Sequence, residues 1–322
     1  MDRELSDLVT MPELLAHREL ELVKVTEAAA LAAGRLSGRG DQDRVKSVAA
    51  SAMLQSLEEM SLGGRVVLGP RGDGILSVGS LIGNGEHFAE IGVYPVEGAS
   101  LVSRGLPNAI SMVVAGPPGS FPSLPAVAYM EKVVVGPAAR GAIDLEDPIA
   151  DNLRRVAFAR DCRVADLTVA ILDRPRHQGL IEEVRAAGAR ILMLEDGDIT
   201  AALLASADWT AVDAMVGFGG FQEAIMAAAA LTCLGGEILC RLWPRNDEER
   251  ILAGDDGNRS YATADLCLNE VSVAITGITG GSLLGPVHYG GGWAETHSLI
   301  LGGGSRTIRR VTTRHQFPTH PA

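Results

Sequence analysis

Apolar residues recur at helical spacing from Pro12 to Leu36, with Leu14, Leu15, Val23 and Val25 among alanines, and Gly38-Arg39-Gly40 closes the run. A second pattern, from about Asp43 to Met60, places Val45, Val48, Ala52, Met53 and Leu57 on one helix face, with Asp43 as the expected N-cap. Short apolar runs punctuated by Gly, Pro and Asn then predict strands at Arg65–Leu68 and at about 75–82, 88–94, 109–115 and 129–135. From Asp144 onward the rhythm becomes alternation. Helices are expected at about 148–160, 177–187, 198–206 and 222–234, and strands at Leu167–Leu172, Arg190–Leu194 and Ala211–Gly217. The tail returns to strands at Val271–Ile275, Ser298–Leu301 and Arg306–Thr313.

Strand–helix alternation predicts a parallel or mixed sheet covered on both faces. The β-rich start and the αβ continuation divide the chain into 1–143 and 144–322, two tightly packed halves without a linker. Within the first half, Val93-Tyr94-Pro95-Val96-Glu97-Gly98-Ala99-Ser100 reads as a strand stopped by proline and followed by a carboxylate and a glycine. Such a turn can aim Glu97 at a metal or phosphate; it can equally be a surface turn with a solvated glutamate.

With 322 residues, 47% hydrophobic and 21% charged, the chain has the composition of a folded protein. Aromatics make up only 4% and there are 38 glycines, so the core is aliphatic. A net charge of −12 argues against nucleic-acid and anionic-membrane partners. Cys162, Cys233, Cys240 and Cys267 have no metal-ligand spacing and read as buried free thiols. The charged start and the lack of a long apolar run point to the cytoplasm.

Charged or glycine-rich clusters stand where strands end. Gly69-Pro70-Arg71-Gly72-Asp73-Gly74 could wrap an anion or simply turn the chain. Tyr129-Met130-Glu131-Lys132 is a second cluster. Arg174-Pro175-Arg176-His177 follows a predicted strand, and its two guanidiniums suit bidentate phosphate capture, although surface arginines are common. Helix packing is the plain alternative for His177. Glu195-Asp196-Gly197-Asp198 could bind hydroxyls or cap a helix, and Gly217-Phe218-Gly219-Gly220 leads into a helix whose first turn holds Glu223. His288 and His297, in a glycine-rich loop, read as solvated. Strand ends are where α/β sheets bind ligands.

These residues resemble the class II (GlpX-type) bacterial fructose-1,6-bisphosphatases from about Glu19 to Arg310. The likeness is carried by Gly38-Arg39-Gly40-Asp41, Pro95-Val96-Glu97-Gly98, Tyr129-Met130-Glu131-Lys132, Ala150-Asp151-Asn152-Leu153-Arg154, Pro175-Arg176-His177, Asp196-Gly197-Asp198, Gly277-Ile278-Thr279 and Ser305-Arg306-Thr307-Ile308-Arg309-Arg310. The resemblance implies a layered αβαβα sugar-phosphatase sandwich, a homodimer or homotetramer, and hydrolysis of a sugar phosphate by divalent cations on a carboxylate cluster. It implies substrate binding by Glu97, Gly98, Ala99, Tyr129, Arg174, Pro175, Arg176, Asp196, Gly197, Asp198 and Gly220.

The chain departs from that pattern where the family holds its metals. Gln42 replaces a lysine, Lys46 an aspartate, Pro70 a glutamate in a shortened loop, Tyr94 an aspartate and Ala99 a threonine. Of the family's metal ligands Glu97 and Glu223 remain. One Mg²⁺ or Mn²⁺, or none, is therefore expected. The resemblance then implies a diverged protein that binds a phosphorylated sugar and acts on it by altered chemistry, with Lys46, Asp73, Tyr94 and Glu97 as catalytic candidates in a buried Tyr–Lys–Glu group. A catalytically inactive sensor or partner subunit is the alternative, and an ordinary metal-dependent phosphatase the third reading.

Overall fold

The computed structural model describes residues 11–70, 74–84, 88–125, 127–267 and 270–317. The chain forms two compact units. One takes the chain up to Ser120 and again from Asn269; the other is the continuous stretch Phe121–Leu268.

The first unit opens with helices α1 (Met11–Gly34) and α2 (Gln42–Glu58), then strands β1 (Gly63–Leu68), β2 (Leu81–Ile82) and β3 (Phe88–Glu97), helix α3 (Ala99–Arg104) and strand β4 (Ile110–Gly116). In the second unit come β5 (Tyr129–Val135), α4 (Ile149–Ala159), β6 (Thr168–Leu172), α5 (Gln178–Ala186), β7 (Arg190–Leu194) and α6 (Asp198–Ser206). There follow β8 (Ala214–Gly220), α7 (Phe221–Leu234), β9 (Glu237–Leu242), α8 (Asp247–Ala253), β10 (Ser260–Ala262) and α9 (Thr263–Leu266). The chain then returns to the first unit with β11 (Ser272–Gly277), β12 (His288–Gly290), β13 (Trp293–Gly302) and β14 (Thr307–Gln316).

In the first unit the strands form one sheet in the order β12-β13-β11-β4-β3-β1-β2, with β14 paired to β13. Leu22, Val25, Ala29 and Ala33 of α1 and Val45, Ala49 and Met53 of α2 bury their stripes against Ile91, Val93, Val113, Ala115, Ala274 and Ile300. Each such Leu, Ile, Val or Met side chain contributes about 1.5–3 kcal/mol on burial, and each alanine less. The N-cap of α2 is Asp41, not Asp43: its Oδ1 accepts the Arg44 N–H at 2.9 Å. Asp43 lies in the first turn, where its charge complements the helix dipole. Pro95 does not stop β3. Tyr94 pairs with Met112 and Glu97 with Ile110, and the irregularity between them lets the ladder pass a residue that has no N–H to donate. The strand expected over 75–82 shrinks to Leu81–Ile82, because the preceding residues turn, with Gly79 at φ 98° and Gly83 at φ 72°.

The second unit carries a mixed sheet in the order β10-β9-β5-β8-β6-β7. Strands β6, β7 and β8 are parallel, while β5 runs antiparallel to both β8 and β9. Helices α4 and α5 cover one face through Leu153, Val156, Ile181 and Val184 against Val133, Val135, Val169, Ile171 and Val216. On the other side α6 and α7 pack on β5, β6, β8 and β9, the run Ala227–Ala230 being fully buried. The molecule is thus mixed α/β, with one sheet in each unit. Sheet pairing makes a different cut from the one expected at 143/144: β5 pairs with β8 and β9 of the second unit, and β11 pairs with β4 of the first. Among the described residues no helix is long and apolar enough to cross a membrane.

All four cysteines are free. Cys240 and Cys267 are buried as expected, and burial pushes the Cys240 thiol up to about 12. Cys162 is exposed and Cys233 half-buried: Cys162 falls in the turn after α4.

Candidate functional site

Pairing in the second unit brings five chain segments to one edge of its sheet. The parallel strands β6, β7 and β8 deliver Arg174, Asp196 and Gly220 at or just beyond their C-terminal ends. Antiparallel pairing of Tyr129 with Gly220 places the start of β5 there, and pairing of Met130 with Leu242 adds the residues after β9. The Trp243 N–H donates to the Tyr129 carbonyl at 2.9 Å, and α6 begins at the same edge with Asp198. This is the end of a sheet at which carbonyls and turns converge on a ligand.

After β6 the chain makes a short 3₁₀ turn, Pro175–His177, whose proline pre-sets the backbone. His177 is 1% exposed. Its Nε2 accepts the Phe218 N–H at 2.8 Å and its Nδ1 lies 2.7 Å from the Leu172 carbonyl. Only the Nδ1–H tautomer satisfies both contacts. The ring therefore fastens the end of β6 to β8; Gly217 leaves room for it, since a Cβ there would stand 3.3 Å from the ring.

Two guanidiniums flank the Tyr129 ring, Arg176 with Cζ 4.8 Å from the ring centroid and Arg245 with Cζ at 4.9 Å. Arg176 Nε also donates to the Phe218 carbonyl at 2.9 Å. Glu249, one turn along α8, accepts the Arg245 backbone N–H at 2.9 Å and its Nε at 3.0 Å. That hydrogen-bonded guanidinium, helped by the backbone N–H, holds the Glu249 carboxyl below the usual range and raises Arg245 in turn. Behind them Trp243 packs on Phe218 with ring centroids 4.7 Å apart. Arg174 lies with Nη2 3.5 Å from Asp196 Oδ1, which also accepts the Gly197 N–H at 3.0 Å.

Beneath this edge Lys132 is 2% exposed. Its Nζ pairs with Asp198 Oδ2 and donates to the Gly220 carbonyl at 2.8 Å. Two glycines make room for carboxylates. A Cβ on Gly219 would collide with the Asp198 carboxylate, and one on Gly220 with the Glu223 carboxylate. Trp243, Arg245 and Glu249 are absent from the residues picked out by sequence. The signal that could have found them is the Gly235-Gly236 break followed by the alternating Glu237–Leu242, which marks a strand whose end they follow.

The candidates of the first unit are arranged differently. Glu97 ends β3 at 4% exposure, and Gly98, at φ 78°, turns the chain into α3, where Ala99 is the first residue. Tyr94 lies in β3, half-buried. Lys46 is on α2, its side chain 56% exposed and its Nζ 3.7 Å from Asp43. The buried Tyr–Lys–Glu group is therefore not formed, because Lys46 projects from α2 into solvent with its helix neighbour Asp43. Asp73, with Arg71 and Gly72, lies outside the described residues. His288 and His297 are not in a loop but on paired strands β12 and β13, their rings 6.2 Å apart.

The resemblance calls for hard-cation ligands, and the donor set does not fit them. Lys46 brings an ammonium, Pro70 no donor and Tyr94 a phenol. Among the described residues no group of three or more His, Cys, Asp or Glu is gathered for a metal ion.

Residues 16–315 match the family model described as bacterial fructose-1,6-bisphosphatase, glpX-encoded. The chain is 36% identical over 318 residues to fructose-1,6-bisphosphatase 1 class 2 of Escherichia coli K12, covering 92% of this chain and 94% of that protein. The same identity and coverage relate it to the fructose-1,6-bisphosphatase class 2 of Shigella flexneri. The mixed α/β architecture agrees with that family's sandwich fold, and the chain belongs to the bacterial glpX-encoded fructose-1,6-bisphosphatase family.

Proposed function

We propose that this chain binds a phosphorylated sugar at the strand-end edge of its second unit and has lost two-metal hydrolysis. The observation that carries the reading is the gathering of Arg174, Arg176 and Arg245 with Asp196 and Asp198 at one edge of one sheet. The names of the relatives supply the ligand class. Guanidinium forks match phosphate oxygens in pairs, and carboxylates accept the hydroxyls of a sugar. The Tyr129 ring, flanked by two guanidiniums, offers a flat apolar face beside them.

A two-metal mechanism requires carboxylates that hold cations against the phosphoryl group and the attacking water. Lys46, Pro70 and Tyr94 provide none. Altered acid–base chemistry through Lys46 also loses support, since an ammonium 56% exposed beside Asp43 is not the desolvated group such chemistry uses. A second reading, turnover without two metals, is favoured by Glu97, a carboxylate 4% exposed at the end of β3.

The test is phosphate release from fructose 1,6-bisphosphate and a panel of sugar phosphates, with Mn²⁺, with Mg²⁺ and with chelator, followed by NMR alongside calorimetric binding. Binding without new products is expected. Metal-dependent phosphate release would overturn the loss of hydrolysis, and a new sugar without free phosphate would replace the binding reading with the second one.

A further inference from the structure

Lys132 is a charged side chain in the interior of a β-strand, 2% exposed, with two acceptors fixed around it. One is Asp198 Oδ2, on the first turn of α6; the other is the carbonyl of Gly220, the last residue of β8. The Asp198 side chain is itself only 9% exposed, yet its second oxygen, Oδ1, is buried with no hydrogen-bond partner among the described residues. Gly219 is the reason the carboxylate can come so close to β8: any side chain there would push Asp198 away.

A buried ion pair is poor evidence of a purely structural role, because well-packed apolar side chains commonly replace one without loss of stability. A structural pair would also satisfy both carboxylate oxygens, as buried polar atoms almost always are. Here one oxygen is clamped and the other is left as an acceptor without a donor. The ammonium, reaching both Asp198 and the end of β8, fixes the rotation of the carboxylate about its Cβ–Cγ bond.

We infer that Lys132 is a positioning residue: it clamps Asp198 Oδ2 so that Oδ1 stands ready to accept a hydroxyl of the ligand. The inference rests on the sugar-phosphate reading and deepens it. The ligand is a phosphorylated polyol, with its phosphate on the guanidiniums and one hydroxyl hydrogen directed at Asp198 Oδ1. An anion without hydroxyls makes no use of the clamp.

The test is titration calorimetry on the full chain with fructose 6-phosphate, its monodeoxy analogues and inorganic phosphate. For the unaltered chain, one monodeoxy analogue binds about tenfold more weakly than the parent sugar phosphate. K132M and D198N each weaken the parent to the level of that analogue and leave inorganic phosphate within about twofold. The double variant K132M/D198N, which removes both buried charges at once, melts cooperatively and loses no more than either single variant. A merely structural lysine would weaken all the ligands alike. If K132M keeps the tenfold difference between parent and analogue, the positioning role is overturned while the sugar-phosphate reading stands. If the unaltered chain binds no sugar phosphate at all, the reading itself fails and the inference with it.

Discussion

The second unit's strand ends and the first unit's loops treat charged side chains in opposite ways. At the strand ends Arg176 is held by Phe218 and Lys132 by Asp198 and Gly220, all partners on other elements, while Arg245 is held by Glu249 four residues on. In the first unit Asp41 caps its own helix and Lys46 pairs loosely with Asp43 three residues before it. Charges satisfied within one turn serve the helix that bears them. Charges tied across strands hold a fixed pattern in space, which is what recognition of a ligand demands. The proposed site draws on the second pattern.

The largest effect that would break the contrast is on binding. R174A/R176A is expected to weaken fructose 6-phosphate about a hundredfold, since hydrogen bonds to charged groups are the strong ones. K46A, removing an exposed cation of the first unit, is expected to change affinity less than about twofold. Calorimetry on both variants decides it, and a larger loss in K46A would shift the site to the first unit. An intermediate effect concerns close packing. G219A sets a methyl group against the Asp198 carboxylate, and urea unfolding is expected to show a loss of about 1–3 kcal/mol. An unchanged midpoint would mean that Asp198 is free to move.

The smallest effect sharpens the comparison through pH. The Arg245 hydrogen bonds depress Glu249 in the folded chain. A depressed carboxylate stabilises the fold fully above its unfolded value, about 4.3, and that contribution is lost as pH falls through the folded value. Between pH 5 and the acid limb, the unaltered chain should therefore lose more stability than E249Q, as followed by thermal melting. Parallel pH curves for the two would remove Glu249 as the anchor of Arg245.

Much of the αβ half was legible in the sequence. Strand β7 and helix α6 fall on the expected Arg190–Leu194 and 198–206, because Gly197 marks the break between them with a left-handed φ of 99°. The end of β8 was not legible. The strand is expected to end at Gly217, whereas it runs on to Gly220 opposite Tyr129, and glycine is needed there for side chains packed against the strand. Pro95 misled for a related reason: a bulge takes up a residue that local chemistry alone would make a stop. Arg174, Arg176, Asp196 and Asp198 were legible as strand-end charges. Lys132 stood within a cluster that sequence singled out, but its partner is 66 positions away, a contact that no local pattern reports. Arg245 follows β9, a strand whose alternation is blurred by Leu239, an apolar residue at an outward position.

The interrupted course of the first unit bears on how the chain is made. As synthesis proceeds from the N-terminus, the second unit is complete once Leu268 has left the ribosome, for all its strands lie within one uninterrupted stretch. The first unit is then still unfinished, since β4 has β3 on one side and awaits β11 on the other, and β13 comes later still. The apolar strand Ile110–Gly116 therefore spends the synthesis of the whole second unit with an open edge. Nascent chains stalled before Ser272 are the species a chaperone would have to shield.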